Sequence, residues 1–227
     1  MISNKLEGIS RELIALRVAN ELVDGSYVNL GIGIPTLVSN WIEGRDIVLQ
    51  SESGMLNIGP LADEETVDQD LVNASCQPVT ELPGCSYFSY SEAFGMIRGG
   101  RIDVAVLGAL QVSEKGDLAG WYNPGRGLPD GVGNIGGSMD LAVGAKKVIV
   151  AMTHVSNDGE CKIGCELTYP LTALSVIDLI VTDLAVMAVT PEGLVLKEVA
   201  PGITPDQVQS VTGARLIIDP DLHEMQC

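Results

Sequence analysis

Short runs of aliphatic residues constrain the fold of this chain more than any other feature. Three such runs lie at 46–49, 104–107 and 147–152. Apolar runs of this length are typical of strands buried on both faces, as in a parallel sheet covered by helices. Hydrophobic residues make up 46% of the chain and aromatic residues only 4%, so the core is built on Val, Ile, Leu and Ala. The sequence therefore predicts an α/β fold with a mostly parallel sheet.

The first part of the chain has the pattern of a strand–helix–strand unit. A strand at 27–30 runs into a glycine turn at 31–33, a helix follows at 36–42, and the next strand is 46–49. Pro35 suits the first turn of that helix, where its missing N–H is not needed. Strand, turn, helix and strand in this order predict a βαβ unit.

The rest of the chain continues the alternation of helices and strands. The predicted elements are helices at 10–24, at 91–98, from Asp140 and from Thr204, strands at 104–107, 147–152 and 215–218, and two or three short strands within 176–199. Residues 61–90 show no clear periodicity, and 116–137 predict a long loop of the kind that is usually functional. Because no repeat or linker interrupts it, the chain is predicted to form one domain over 1–227.

The charge of the chain excludes several kinds of partner. Its net charge is −17, from 13 Lys and Arg against 30 Asp and Glu. A nucleic-acid surface needs clustered cations, and an anionic membrane surface is disfavoured for the same reason. We therefore expect neither nucleic acid nor membrane as a partner. Small anionic ligands stay possible, because backbone amides and helix N-termini can hold them.

The first residues, the apolar stretches and the cysteines together predict a cytoplasmic protein. The first residues contain no apolar segment of the signal-peptide kind. The most apolar long stretch, 171–190, is interrupted by Asp178 and Asp183, so it predicts buried strands rather than a membrane span. Five cysteines, an odd number without an export signal, indicate reduced thiols.

One carboxylate stands out as a candidate nucleophile. Glu52 follows the apolar run at 46–49 and is surrounded by Ser51, Ser53 and Gly54. The strand fixes the backbone, and the small residues leave room for a ligand to approach. We therefore predict that Glu52 is a nucleophile and that its three small neighbours are candidates for the substrate pocket.

Two glycine stretches could contribute backbone to the same site. Gly31 and Gly33 lie in a turn that lacks the third glycine of a dinucleotide fingerprint and the lysine of a Walker loop. The turn places bare backbone at the carboxyl edge of a strand, where open α/β sheets bind ligands. A simple tight turn is the alternative interpretation.

The second glycine stretch, 131–140, opens a helix. Free N–H groups at Gly136 and Gly137 could hydrogen-bond an oxyanion, and Asn134 is a further pocket candidate. A flexible loop with glycine caps is the alternative. A carboxylate nucleophile beside such N–H donors suits attack on a thioester, which forms an acyl-glutamyl anhydride and expels a thiolate.

A metal site is not predicted. His154, Cys161 and Cys165 lie near one another in the sequence. The Cys-x₃-Cys spacing has no second pair, and the chain contains only 2 histidines.

An ordered set of motifs then indicates a family. The stretches are VNLGIGIPT at 28–36, LQSE at 49–52, MIRGG at 96–100, LGALQVS at 107–113, GDLA at 116–119, GGSMDL at 136–141 and PLT at 170–172. In this order, across nearly the whole chain, they resemble the β subunit of the family I CoA-transferases, the group that includes the 3-oxoacid and acetate/butyrate CoA-transferases.

The resemblance implies a fold, a mechanism and a partner. The fold is a three-layer α/β/α open sheet. Glu52 corresponds to the catalytic glutamate of the Ser-Glu-Asn-Gly motif, and Gly136 and Gly137 correspond to the oxyanion site and the CoA-facing loop. The working unit pairs this subunit with a homologous α subunit. Coenzyme A is then a substrate, and no metal or redox cofactor is expected.

Departures from the family pattern cluster near the site. Ser53 replaces an Asn, Thr153 replaces the Glu that commonly precedes His154, and Gly120 stands where Asn is usual. These differences leave the acyl group undefined. Two alternatives to a transferase also stay open, an acyl-CoA hydrolase that uses the same glutamate and a non-catalytic ligand-binding subunit.

Overall fold

The computed structural model describes residues 6–123 and 136–226 of the chain. Within these residues lie four α-helices, one 3₁₀ helix and thirteen strands. The helices are α1 (Arg11–Ala19), α2 (Tyr90–Arg98), α3 (Ser138–Gly144) and α4 (Pro205–Ser210), and the 3₁₀ helix is Pro35–Trp41. The strands are β1 (Tyr27–Leu30), β2 (Val48–Ser51), β3 (Met55–Leu61), β4 (Val79–Tyr87), β5 (Val104–Leu107), β6 (Gln111–Ser113), β7 (Leu118–Ala119), β8 (Lys147–Ala151), β9 (Ile163–Gly164), β10 (Leu179–Val181), β11 (Ala185–Thr190), β12 (Gly193–Val199) and β13 (Leu216–Glu224).

Ten of the described strands form one sheet, in the order β13-β12-β11-β10-β8-β5-β1-β2-β3-β4. The five central strands, from β10 to β2, are parallel to one another. Antiparallel pairs flank them, β10 with β11 and β11 with β12 on one side, and β2 with β3 and β3 with β4 on the other. The predicted α/β fold around a mostly parallel sheet is confirmed, with antiparallel pairs added on both sides.

Side chains on the two faces of the central strands enter two separate cores. In β5, Val104 and Val106 belong to the core that α1 covers, whereas Ala105 and Leu107 belong to the core that α2 and α3 cover. Successive side chains of a strand point to opposite faces, so a strand covered on both faces has no solvent-facing position. Helices on both faces give the three layers, α/β/α.

Capping side chains set where the helices begin. The Ser10 side chain accepts from the backbone N–H of Leu13 and caps α1. Ser89 caps α2, and Thr204 caps α4, each within a capping box. Such caps satisfy N–H groups that have no partner inside the helix. None of the helices in the described part of the chain is long and apolar enough to cross a membrane.

The first helix ends earlier than its apolar pattern predicts. The pattern predicts a helix over 10–24, but α1 ends at Ala19. The guanidinium of Arg45 donates to the carbonyl oxygens of Ala19 and Leu22, at 2.8 and 2.6 Å. A side chain from outside the helix thus satisfies carbonyls that another helical turn would have used.

The sequence predicts no regular structure at 61–90, and this is wrong for part of the segment. β3 and β4 form an antiparallel pair that extends the sheet, and β4 is its outermost strand. Most side chains of β4 are exposed, so the strand shows no apolar alternation, and it contains Pro83 and Gly84. An edge strand tolerates proline because one side of its backbone needs no ladder partner.

The carboxyl ends of the parallel strands meet at one edge of the sheet. Asn29 of β1 lies in register with Gln50 of β2 on one side and with Ala105 of β5 on the other. The segments that leave β1, β2 and β5 therefore start side by side. In open α/β sheets, ligands bind at this edge.

Candidate active site

Glu52 stands at the point where β2 ends. β2 runs to Ser51, and the chain turns through Glu52, Ser53 and Gly54 before β3 begins. Gly54 has a φ of 112°, and a Cβ there would collide with the carbonyl oxygen of Phe88. The turn therefore requires glycine, and it holds Glu52 at the carboxyl edge of the sheet.

Glu52 lines a cavity of about 310 Å³. Gly31 from the end of β1, together with Gly136 and Gly137 from the start of α3, lines the same cavity. Most of the remaining wall is apolar and comes from Ile32, Leu107, Ala109, Leu110, Leu118 and Leu141. The structure thus brings together four residues that the sequence predicts for the site.

Gly137 allows the start of α3 to approach Glu52. A Cβ at Gly137 would lie 3.7 Å from Cγ of Glu52 and only 2.9 Å from Cζ of Phe94. Phe94 is buried, its ring centroid lies 4.7 Å from that of Tyr90, and the guanidinium of Arg98 lies 5.4 Å from it. Because Phe94 is held on both sides, a side chain at position 137 would disturb the packing beside Glu52.

The two glycines of the first turn differ in what they contribute. Gly31 lines the cavity, but its N–H donates to the carbonyl oxygen of Val106 at 2.9 Å and is not available to an oxyanion. Gly33 is not among the residues that line the cavity, and its N–H donates to Oγ of Ser75 at 3.4 Å. Gly31 thus forms a wall of the cavity, and Gly33, with a φ of 91°, shapes the turn. A binding role for either glycine stays a prediction.

The small residues around Glu52 are its neighbours in the sequence but do not lie in the wall of its cavity. Oγ of Ser51 lies 2.7 Å from Oγ of Ser53, and Ser51 lines a separate cavity of about 30 Å³. Ser53 is exposed, and Gly54 is buried against Phe88. None of the three lines the cavity at Glu52. That they belong to the substrate pocket stays a prediction.

The last pocket candidate, Asn134, lies outside the described residues.

Two buried amides beside Glu52 escape prediction from the sequence. Asn29 of β1 is 1% exposed, and Gln50 of β2 is 2% exposed. Nδ2 of Asn29 donates to Oε1 of Gln50 at 2.7 Å, to the main-chain oxygen of Gln50 at 3.0 Å and to Oε2 of Glu52 at 3.1 Å. The sequence feature that could have indicated them is Asn29 itself, a polar residue between Val28 and Leu30 in an otherwise apolar strand.

This amide network leaves two buried atoms unpaired. Oδ1 of Asn29 and Nε2 of Gln50 have no hydrogen-bond partner within the described residues. A buried polar group without a partner costs about 1–3 kcal/mol of stability. Such a cost calls for an explanation. Neither amide lines the cavity itself, and the pair is connected to it by the bond from Asn29 to Glu52.

His154 does not offer a free nitrogen to a metal. It is fully buried, Nδ1 lies 2.9 Å from Oγ1 of Thr182, and Nε2 lies 2.9 Å from Oγ1 of Thr212. Burial lowers the pKa of His154 to about 4, so the ring is neutral at pH 7. In residues 6–123 and 136–226, no group of three or more His, Cys, Asp or Glu side chains could hold a metal ion. That the protein needs no metal stays a prediction.

A second cavity, of about 350 Å³, adjoins the one at Glu52, because Leu110 lines both. Thr153 and Lys162 are among its other lining residues. Burial lowers the pKa of Lys162 to about 8, and the charge of Asp183 opposes that shift.

A profile described as Coenzyme A transferase matches residues 11–210 of the chain. The chain belongs to the coenzyme A transferase family. The match runs from α1 to α4 and includes Glu52 and Gly137.

Curated relatives align with nearly the whole chain. The chain is 47% identical over 209 residues to the B subunit of 3-oxoadipate CoA-transferase from Pseudomonas putida, covering 92% of this chain and 97% of the relative. It is 47% identical over 204 residues to the B subunit of succinyl-CoA:3-ketoacid coenzyme A transferase from Helicobacter pylori, covering 90% and 97%. It is 46% identical over 215 residues to the beta subunit of acetate CoA-transferase from Escherichia coli K12, covering 94% and 96%. These relatives share a reaction class and differ in the acid.

Solved structures share the fold at low sequence identity. An acyl-CoA transferase from Escherichia coli O157:H7, in a thioester complex with CoA, superimposes with a TM-score of 0.74 at 22% identity, covering 100% of this chain and 44% of that chain. Glutaconate coenzyme A-transferase from Acidaminococcus fermentans superimposes with a TM-score of 0.71 at 16% identity, covering 98% of this chain and 91% of that chain. A variant of the decarboxylase AibA/AibB superimposes with a TM-score of 0.70 at 16% identity, covering 96% of this chain and 90% of that chain. Since a decarboxylase has this fold too, the fold does not decide the reaction.

Proposed function

We propose that this chain is the β subunit of a CoA-transferase in which Glu52 carries CoA as a thioester between two half-reactions. The observation that carries the proposal is a carboxylate at the wall of a cavity, approached by the glycine backbone of α3. The substrates are an acyl-CoA, such as succinyl-CoA or acetyl-CoA, and a short-chain or 3-oxo carboxylic acid. The names of the relatives support this range of acids.

The first half-reaction begins with the carboxylate of Glu52. One of its oxygens attacks the thioester carbon of the acyl-CoA, and the CoA thiolate leaves. The thiolate then attacks the glutamyl carbon of the resulting anhydride and displaces the free acid. In the second half-reaction an acceptor carboxylate attacks the glutamyl-CoA thioester, and the steps run in reverse. Ping-pong kinetics follow, because the first acid leaves before the acceptor reacts.

We also propose that backbone N–H groups at the start of α3 donate hydrogen bonds to the oxyanion of the acyl group. Attack on the acyl-CoA places negative charge on the acyl oxygen, which needs hydrogen-bond donors close to Glu52. The first N–H groups of a helix lack intrahelical partners. Gly136 and Gly137 line the cavity, so the backbone at this point is the proposed source of those donors.

A homologous α subunit is the proposed partner. The relatives are named as the B or beta subunits of their enzymes. In addition, this chain covers 44% of the acyl-CoA transferase chain from Escherichia coli O157:H7, which leaves space in that chain for a second unit. We expect activity only from the assembled complex.

Covalent trapping tests the proposal. The complex of this chain with its α subunit is incubated with acyl-CoA alone, treated with borohydride and analysed by peptide mass spectrometry. We expect Glu52 to be reduced, because borohydride attacks a thioester and leaves a carboxylate unchanged. The Glu52→Gln complex and a sample given free CoA are the controls. An unmodified Glu52 in the acyl-CoA sample would overturn the proposal.

The same complex separates a transferase from a hydrolase. Transfer of CoA to acetate or succinate is compared with hydrolysis of the acyl-CoA in the absence of an acceptor. We expect transfer to be faster. Hydrolysis that an acceptor does not suppress would favour the hydrolase, and binding without either reaction would favour a non-catalytic subunit.

A further inference from the structure

The amide of Asn29 lies between the backbone of β2 and the carboxylate of Glu52. Its nitrogen is 3.0 Å from the main-chain oxygen of Gln50 and 3.1 Å from Oε2 of Glu52. Both oxygens are acceptors without a proton, so only the nitrogen of the Asn29 amide can face them. The neighbours of Asn29 therefore decide its orientation, and a donor points at Glu52.

Asn29 is also fixed in place and shielded from water. It lies on a central strand and is 1% exposed, and its nitrogen donates to Oε1 of Gln50 at 2.7 Å. Its two protons are shared among three acceptors, and the bond to Glu52 is the longest of the three. That bond can shorten when negative charge collects on Oε2, because a charged acceptor attracts the shared proton more strongly.

We propose that Asn29 is a catalytic hydrogen-bond donor, which stabilises the oxyanion formed on Oε2 of Glu52 when a nucleophile attacks the glutamyl carbon. The inference rests on the proposed function, since it requires the glutamyl-CoA thioester. It concerns a different oxyanion from the one assigned to the backbone of α3. That backbone serves the acyl oxygen of the substrate, whereas Asn29 serves the oxygen that Glu52 retains.

The bonds that form and break place the negative charge on the one oxygen that Glu52 retains, which the proposal assigns to Oε2. In the thioester, Cδ of Glu52 is bonded to the sulfur of CoA and to one oxygen, the oxygen that faces Asn29. The acceptor carboxylate forms a bond to Cδ, and the electron pair of the C=O bond moves onto that oxygen. When the pair returns, the Cδ–S bond breaks and the thiolate leaves with its electrons. No proton is transferred, so the step suits an amide, which donates a hydrogen bond and keeps its proton.

The bond from Asn29 is expected to be stronger in the transition state than in the thioester. The oxygen is a neutral carbonyl oxygen in the thioester and carries the negative charge of the tetrahedral species. Hydrogen bonds to charged acceptors are roughly twice as strong as those to neutral ones. A buried donor that is already in place therefore lowers the barrier rather than only tightening binding.

Infrared spectroscopy on the wild-type complex tests the contact directly. The side-chain carboxyl carbon of glutamate is isotopically labelled, and the difference spectrum before and after addition of acyl-CoA isolates the glutamyl thioester carbonyl. We expect its stretch at a lower frequency than that of a simple thioester in an apolar solvent, because a hydrogen bond weakens the C=O bond. The Asn29→Leu complex should show the band at the higher frequency.

Single-turnover kinetics test the role of the contact. In Asn29→Leu and Asn29→Ala complexes we expect the acceptor to discharge the glutamyl-CoA roughly 10²–10³-fold more slowly, with little change in KM for the acceptor. The matched control is Asn57→Gly. Asn57 also donates an amide hydrogen bond, to the carbonyl oxygen of Pro83, but it does not line the cavity at Glu52. Its φ of 65° is one that glycine adopts easily. Its rate should equal that of the wild type.

The outcomes separate this inference from the proposed function. If no glutamyl-CoA forms in the wild-type complex, the proposed function fails and takes this inference with it. If the thioester forms but its carbonyl band matches the apolar-solvent value, or if Asn29→Leu discharges it at the wild-type rate, only the role of Asn29 is overturned. Should both Asn29 variants fail to fold, the wild-type spectrum still decides.

Discussion

Two buried polar networks lie on or directly after parallel strands of the same sheet, and they differ in how many of their polar atoms have a hydrogen-bond partner. In the first, Asn29 on β1 donates to Gln50 on β2 and to Glu52, and two buried atoms of the two amides have no partner within the described residues. In the second, His154 after β8 contacts Thr182 after β10 and Thr212 after α4. The first network is bonded to Glu52, a residue that lines the cavity, whereas the three residues of the second do not line it.

The second network is paired at every ring nitrogen and hydroxyl. Besides the ring of His154, Oγ1 of Thr182 meets the N–H groups of Leu184 and Ala185 at 3.1 and 3.0 Å, and Oγ1 of Thr212 donates to the carbonyl of Val208 at 2.7 Å. Such a network holds loops together. Burial of polar groups alone therefore does not mark a reactive site. What distinguishes the first network is the hydrogen bond from Asn29 to Glu52, which lines the cavity.

Removal of the charge of Glu52 should have the largest effect on activity. Glu52→Gln replaces the nucleophile by a neutral amide, and kcat should fall by roughly 10⁴–10⁶-fold, as for other lost nucleophiles. Oε1 of the new glutamine can still accept from Asn29, so thermal unfolding should change little. Steady-state kinetics of the assembled complex with wild-type-like turnover would refute the role of Glu52.

Low pH should destabilise the network around His154. The ordinary pKa of His154 is near 6.5 and burial lowers it to about 4, so the unfolded chain takes up the proton first as pH falls. The stabilisation from a neutral His154 is complete above pH 6.5 and is lost as pH falls towards 4, by about 3 kcal/mol in total. Urea unfolding across this range measures it. His154→Gln should flatten the profile, whereas the same change at the exposed His223 should not.

Loss of one hydroxyl should weaken the paired network without affecting chemistry. Thr212→Val leaves Nε2 of His154 without a partner, and the free energy of unfolding should fall by about 2 kcal/mol. The turnover per folded molecule should not change. Ser210→Ala, which removes an exposed hydroxyl bonded to the carbonyl of Gln207, is the control and should cost much less. A drop in turnover for Thr212→Val would contradict the separation of the two networks.

The smallest effects should come from a matched pair of glycine substitutions. Gly137→Ala places a methyl group against Phe94 near Glu52, and kcat should fall by about tenfold because the backbone shifts relative to the carboxylate. Gly95→Ala in α2 meets open space and should raise stability by up to about 1 kcal/mol with no change in kcat. Equal kinetics for the two variants would show that the close approach at Gly137 has no role.

Sequence patterns predicted the elements that depend on local signals. The helix starts near residue 10 and at Thr204 and the apolar strands at 104–107 and 147–152 lie where expected, because each depends on residues a few positions apart. The hairpin of β3 and β4 was missed, since an exposed edge strand carries no apolar alternation. The position of Glu52 directly after a buried strand was predicted correctly for the same local reason.

By itself, the sequence determined the buried strands of the central sheet and the carboxylate that follows β2. Only the tertiary structure decided which residues share a cavity: Gly31, Glu52 and Gly137 do, and Gly33 and Ser51 do not. Parallel pairing of β1 and β2 places Asn29 beside Gln50 and within hydrogen-bond distance of Glu52. That contact depends on the register between two strands, and strand register is a property of the folded sheet that no local pattern of residues expresses.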